Sequence, residues 1–251
     1  MASLNSMVRF LNRELRVREI PDASRNGLQV RIPKEIRRVG FAVDASLATF
    51  EKAAKAGCDL VVVHHGLLWR GQRDLIGTRA RRIAFLKKKG INLYAAHLPL
   101  DLHPEYGNNI ELARLLELSR VQAFGNYQHM MIGFKGRLPK TRTTGWIAAK
   151  LEQEIGSDCK VLGFGKKLVR TVGIVSGGGG DEIADACRER LDCFITGEAP
   201  HHVFHEARDS RMNVIIAGHY ATETVGVKAL MPLLRETFGV KTVFLDVPAS
   251  T

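Results

Sequence analysis

CDLVVVHHG, residues 58–66, is the stretch that decides how this chain folds. Leu60 and three consecutive valines make an apolar run too short for a helix, and β-branched side chains pack well on a pleated surface. Apolar at every position, with no alternation, it reads as a strand covered on both faces, as in a parallel sheet between helical layers. It ends on two histidines and a glycine. Adjacent residues of a strand point to opposite faces, so His64 and His65 can share a pocket only where the strand ends and the backbone turns. Gly66 permits that turn. Ligands of open α/β sheets bind just outside the carboxyl ends of the parallel strands, which is where this pair falls.

The neighbouring segments extend the pattern in both directions. RRVGFAVD (37–44) reads as the preceding strand, followed by a helix from Ser46, its cap, to Ala56. A basic helix covers Thr78 to Lys89 and stops at Gly90, and INLYAAH (91–97) is the next strand. Strand–helix–strand–helix–strand is the α/β signature. The opening segment, MASLNSMVRFLNRELRVREI, places Met7, Phe10, Leu11 and Leu15 on one helical face. Downstream, Asn109 to Leu118 reads as a short helix with an asparagine cap, and sheet-like alternation starts at Val121. The spacing of Thr143, Trp146, Ile147 and Leu151 gives another helix. Residues 167–198 and 213–238 repeat the strand–turn–helix theme, and KTVFLDV (241–247) supplies an edge or closing strand. With no linker or short repeat, the chain divides near residue 125 into α/β lobes 1–124 and 125–251.

A chain of 251 residues with 45% hydrophobic and 25% charged residues has the composition of an ordinary soluble globular protein. No apolar stretch approaches the roughly 20 residues of a membrane span, so no membrane partner is expected. The arginine-studded N-terminus lacks the apolar core of a signal peptide. Cys58, Cys159, Cys187 and Cys193 show no C-x-x-C spacing and read as reduced thiols in a cytoplasmic protein. The net charge of +11 favours an anionic partner, either a phosphate-bearing small molecule or nucleic acid. Spread as it is over RARR (79–82) and KKK (87–89), the same charge also fits a solvated helix face.

Two further groups follow apolar runs as the first histidines do: His97 and Asp101 in AAHLPLD, and His219 and Glu223 in AGHYATE. His219 and Glu223, four apart at a helix start, share one face. Alone, each group has a plainer reading: a core histidine beside an exposed one, a turn aspartate after Pro99, a glutamate serving a helix dipole. Together, imidazoles and carboxylates behind three strands suit first-row divalent metals, in greater number than one tetrahedral ion needs. That points to two metals in one pocket and to metal-assisted hydrolysis. His97 would orient a ligand or donate a proton. In HHVFHEARD (201–209), His201, His202 and His205 read as a helix surface. Gly177–Gly179 in SGGGG read as a pocket wall, with phosphate contact and close strand–helix packing both open.

VVVHHG, AAHLPLDLHPEYGNNIELARLL, ITGE and AGHYATE, with RNGLQV (25–30) and SGGGG, resemble in order the signature segments of the GTP cyclohydrolase 1 type 2 homologue family, the Nif-three-like proteins. The resemblance runs nearly end to end, in the short form without a central insertion. It implies two related, intertwined α/β lobes with mixed sheets flanked by helices, a dinuclear metal centre between them, and a ring-shaped homo-hexamer. The ligand pattern it implies falls on His64, His65, Asp101, His219 and Glu223; beside that pattern, the residues themselves make Glu223 and His97 the expected catalytic groups. The expected function is a metal-dependent hydrolase acting on a nucleotide-like or other anionic small molecule with zinc, iron, manganese, cobalt or nickel. The alternative is a non-enzymatic metal-bearing ring that binds nucleic acid or a protein partner.

Overall fold

The computed structural model describes residues 2–71 and 76–249. They form two compact units: the chain up to His103 together with Val227–Ala249, and Pro104–Gly226. In sequence, the second unit is an insertion in the first. Positions 124/125 fall within a strand, Ser119–Tyr127, and the C-terminal strand pairs with a strand near residue 40.

The first unit opens with β1 (Ala2–Ser3) and α1 (Leu4–Glu14). Met7 and Leu11 are buried on the expected face of α1, Leu15 is buried just beyond it, and Phe10 meets Phe238 edge-on. β2 (Gly27–Val30), β3 (Glu35–Ile36) and β4 (Arg38–Asp44) follow, with β3 pairing antiparallel to β1. α2 (Leu47–Lys55) is capped as the sequence predicts: the Ser46 hydroxyl accepts the Thr49 N–H at 3.0 Å. β5 (Leu60–His65) carries the valines, and Val61, Val62 and Val63 have no solvent exposure. Each such side chain contributes roughly 1.5–3 kcal/mol by leaving water, which is why the run sits mid-sheet. α3 (Gly77–Lys89) stops at Gly90, whose φ of 67° is the left-handed conformation a glycine cap supplies without strain. β6 (Asn92–Ala95) and the single turn α4 (Leu98–Asp101) complete this stretch.

The second unit begins with α5 (Asn108–Leu115), whose cap is Gly107 rather than the expected asparagine. Both asparagine amides are engaged elsewhere. Asn108 accepts the Gly226 N–H, while Asn109 donates to the Ile132 carbonyl and accepts the Ser176 N–H. Buried backbone groups need such partners, and that demand outweighs local capping here. Then come β7 (Ser119–Tyr127), β8 (Met130–Arg142) and α6 (Thr144–Ile155), the last capped by the Thr143 hydroxyl. β9 (Lys160–Gly163) and β10 (Val169–Val175) lead to a 3₁₀ turn (Gly179–Glu182) and α7 (Ile183–Arg188). β11 (Cys193–Thr196), α8 (His201–Asp209) and β12 (Asn213–Ile216) precede α9 (His219–Phe238), which begins in the second unit and ends in the first. β13 (Lys241–Phe244) is the last strand.

Both units carry mixed sheets, the α/β architecture expected. The first has the order β13-β4-β5-β6-β2, with β13 through β6 parallel and β2 antiparallel at one edge. The second runs β7-β8-β10-β11-β12-β9, with β10, β11 and β12 parallel and antiparallel strands to either side. Each has its own core. One gathers Phe50, Val61, Val63, Leu86 and Leu93; the other Leu151, Val172, Ile174, Ile195 and Ile215.

Candidate metal-binding clusters

In the first unit, the register Val63↔Ala95 and Asp44↔His65 aligns the carboxyl ends of β4, β5 and β6. Side chains leaving those ends meet. His64 is fully buried and His65 half-buried, with ring centroids 4.6 Å apart; His97 lies 5.1 Å from His64 and 5.6 Å from His65. Ring nitrogens of the three come within 4.8 Å of one another. Two adjacent strand residues thus share one cluster, as the strand-end argument requires.

Each of these rings is held through Nδ1. His64 Nδ1 lies 3.0 Å from the Ala96 carbonyl, His65 Nδ1 2.9 Å from Asp44 Oδ1, and His97 Nδ1 3.0 Å from Asp22 Oδ1. Carbonyls and carboxylates only accept, so each Nδ1 carries the hydrogen. Imidazoles that ligate metals are fixed in this way. Asp101 Oδ2 stands 3.5 Å from His64 Nε2, on the same cluster. Asp22 is itself tightly held. Burial opposes its ionisation, but the hydrogen bond and charge interaction with His97 outweigh that, aided by Asn26 and the Ser24 N–H, and keep its carboxyl below the ordinary range. It also accepts the Leu98 N–H at 3.0 Å, and Asn26 accepts the His97 N–H.

In the second unit, His219 and Glu223 lie one turn apart at the start of α9, with His219 Nε2 3.1 Å from Glu223 Oε1. Glu223 is buried and His219 half-buried. Glu198, just past β11, approaches His219 Nδ1 at 3.2 Å, repeating the ring-orienting arrangement of the first unit. Gly177 (φ +59°) closes over this pair: a Cβ there would stand 2.0 Å from Glu223 Oε1 and 3.2 Å from His219 Nε2. Close approach to a carboxylate therefore accounts for this glycine. Gly179 answers to packing of another kind, since its Cβ would stand 2.2 Å from a Val175 methyl. His201, His202 and His205 are exposed on α8, as expected.

The sequence reading selected His64, His65, His97 and Asp101, which the first unit gathers, and His219 and Glu223, which the second gathers. It missed Asp22, Asp44 and Glu198. Asp44 ends a strand directly opposite His65 in the sheet register, and Glu198 stands in the ITGE segment; both positions held a signal. Asp22 lies in an irregular segment whose approach to His97 has no local signature. The four cysteines are unpaired, and burial pushes the Cys58 and Cys159 thiols up to about 11. No helix among the described residues is long and apolar enough to cross a membrane.

Mixed α/β sheets with imidazoles and carboxylates clustered at their strand ends define an α/β protein with candidate metal-binding clusters. The chain belongs to the Duf34/NIF3 (NGG1p interacting factor 3) family, whose profile it matches over residues 2–250. It is 46% identical over 245 residues to a Pyrococcus horikoshii protein named GTP cyclohydrolase 1 type 2 homolog, covering 97% of this chain and 98% of that one. A crystal structure of a Thermus thermophilus protein is similar, with a TM-score of 0.91 at 43% identity, covering 99% of this chain and 100% of that one. So is ybgI, a structural-genomics protein described as of unknown function, with a TM-score of 0.93 at 34% identity and coverage of 99% and 100%.

Proposed function

We propose that this chain is a dinuclear metal-binding protein that works in the cytoplasm as a metal-dependent hydrolase on a nucleotide-like or other anionic small molecule. The observation that supports it most is the gathering of His64, His65 and His97 ring nitrogens within 4.8 Å. Each ring is held at Nδ1 by an acceptor, the arrangement that fixes metal-ligating imidazoles. In this reading His64, His65, Asp101, His219 and Glu223 are the residues that hold the two ions. Imidazole and carboxylate donors suit zinc, iron, manganese, cobalt or nickel. When bound, such ions supply Lewis acidity and acidify water near neutral pH.

The chain's own residues carry the rest of the chemistry. Glu223, next to His219, accepts a hydrogen bond from the attacking water and orients it. His97, anchored through Nδ1 to an ionised Asp22, gives or takes a proton at Nε2. The name of the Pyrococcus horikoshii relative, GTP cyclohydrolase 1 type 2 homolog, supports a nucleotide-like substrate. The family resemblance supports assembly as a homo-hexamer, which a monomer mass in light scattering at micromolar concentration would refute.

The test is elemental analysis of protein grown with ample metal, followed by a hydrolase substrate screen with the identified metal restored. Two transition-metal equivalents and metal-dependent turnover are expected; absence of bound metal refutes the reading. A second reading, a metal-bearing ring that binds nucleic acid, draws support from Arg9, Arg13, Arg16 and Arg18, which line one groove of about 600 Å³ beside α1. Salt-sensitive nucleic-acid binding without turnover would favour it.

A further inference from the structure

A cavity of about 310 Å³ opens directly beside His65 in the first unit. Its walls are the turn after β4 (Asp44 and Ser46), the end of β5 (His65 and Gly66), Arg82 of α3, and the C-terminal segment after β13. That last wall is anchored: the Leu245 N–H donates to the Phe41 carbonyl, Leu245 is buried, and Lys52 donates to the Asp246 carbonyl. The volume lies at the small end of the roughly 300–1,000 Å³ usual for small-molecule sites.

The polar groups around it are unequally committed. Ser46 caps α2 and contacts Thr49, and the Asp44 carboxylate receives His65 Nδ1. Arg82 differs. Its Nε is sealed from solvent, and among the described residues no acceptor takes a hydrogen bond from it. A buried guanidinium N–H without an acceptor costs free energy, and more than an uncharged donor does. An oxyanion in the cavity would remove that cost once the Arg82 side chain turns its Nε toward it, and the planar guanidinium fork matches phosphate geometry.

We propose that this cavity is the phosphate subsite of the substrate, with Arg82 receiving a phosphate group and thereby presenting the rest of the molecule to the His65 side of the cluster. The inference deepens the hydrolase reading and rests on it, since it makes the anionic substrate a compact phosphate ester held by a named residue. Arg82 is a binding and positioning residue in this scheme and takes no part in bond breaking. The overall +11 charge draws such anions to the surface, and among the described residues lining the cavity Arg82 supplies the local selectivity.

The experiment titrates inorganic phosphate into the full-length protein by calorimetry at low ionic strength, with bound metal measured on the same samples. The variants are Arg82→Gln, Arg82→Lys and, as a control for net charge, Arg81→Gln, whose parent side chain is exposed and bonded to Thr78. Phosphate binding should weaken at least tenfold in Arg82→Gln and to a lesser degree in Arg82→Lys, which keeps the charge and loses the fork. Arg81→Gln should match the parent, and metal content should be equal in all four. If Arg82→Gln fails to fold, as judged by melting, the Arg82→Lys comparison carries the test. Equal phosphate affinity across the variants, or an equal loss in Arg81→Gln, overturns the proposal. Protein that holds no metal yet binds phosphate through Arg82 would overturn the hydrolase reading and leave the phosphate subsite standing.

Discussion

Replacing Gly177 with alanine should separate a local steric effect on Glu223 from a general loss of stability. A new Cβ would stand 2.0 Å from Glu223 Oε1 and 3.0 Å from its Cδ. Since Cβ contacts under 3.0 Å are essentially never found, the carboxylate must retreat by about 1 Å or Gly177 must shift. Glu223 is buried, so it has little room to retreat. The left-handed φ of +59° adds roughly 1–2 kcal/mol of backbone strain for a non-glycine residue. Gly57 provides the control, because it has a similar φ of +66° and open space around its would-be Cβ. Gly57→Ala should therefore show the strain alone, about 2–4 °C in Tm per kcal/mol for a chain of this size. Gly177→Ala should melt several degrees lower still and should retain less metal than Gly57→Ala when both are dialysed against a chelator. Equal melting and equal metal retention in the two variants would refute the claim that Gly177 is a glycine for the sake of Glu223.

Glu223→Gln keeps the side chain's shape and removes its charge, so it should fold normally but lose metal or any hydrolytic activity, whereas His201→Ala, on the exposed face of α8, should keep the parent metal content; paired metal analysis and melting check both, and a Glu223→Gln protein with two metals and full activity would remove Glu223 from the ligand set. Glu182 offers a test that needs no metal. Burial, with Asp181 and Asp185 close by, pushes its carboxyl up to about 7 from an ordinary 4.5. The folded state then binds more protons than the unfolded state between those values, so this group's stability contribution is present below about pH 4.5 and is lost as pH rises through about 7. Glu182→Gln should raise the urea midpoint at pH 8, by at most roughly 3 kcal/mol in stability, and leave it nearly unchanged at pH 4.5; the same gain at both pH values would contradict this account.

What the sequence disclosed follows a physical division. Strand interiors such as Val61–Val63, the Ser46 cap and the glycine stop at Gly90 depend on a few neighbouring residues, and all of them were legible. His64, His65 and His97 were legible as strand-end residues for the same reason. The groups that orient them were not. Asp22 meets His97 across 75 positions, and Asp44 meets His65 across 21, through sheet register and loop course rather than local periodicity. Capping of α5 was misread because Asn108 and Asn109 answer to distant backbone groups. Nor does anything around KTVFLDV indicate that its partner is a strand near residue 40.

The pairing of β13 with β4 bears on how the chain is made. At roughly 5–20 residues per second, the ribosome delivers Lys241 about 7–28 s after His103. The inserted unit, one uninterrupted stretch, has all its residues available first. During that interval β4 is an open sheet edge, with unpaired N–H and C=O groups beside an apolar face. Nascent chains stalled before residue 241 should accordingly be the aggregation-prone species in this protein's synthesis, and the final strand should act as the seal on its first sheet.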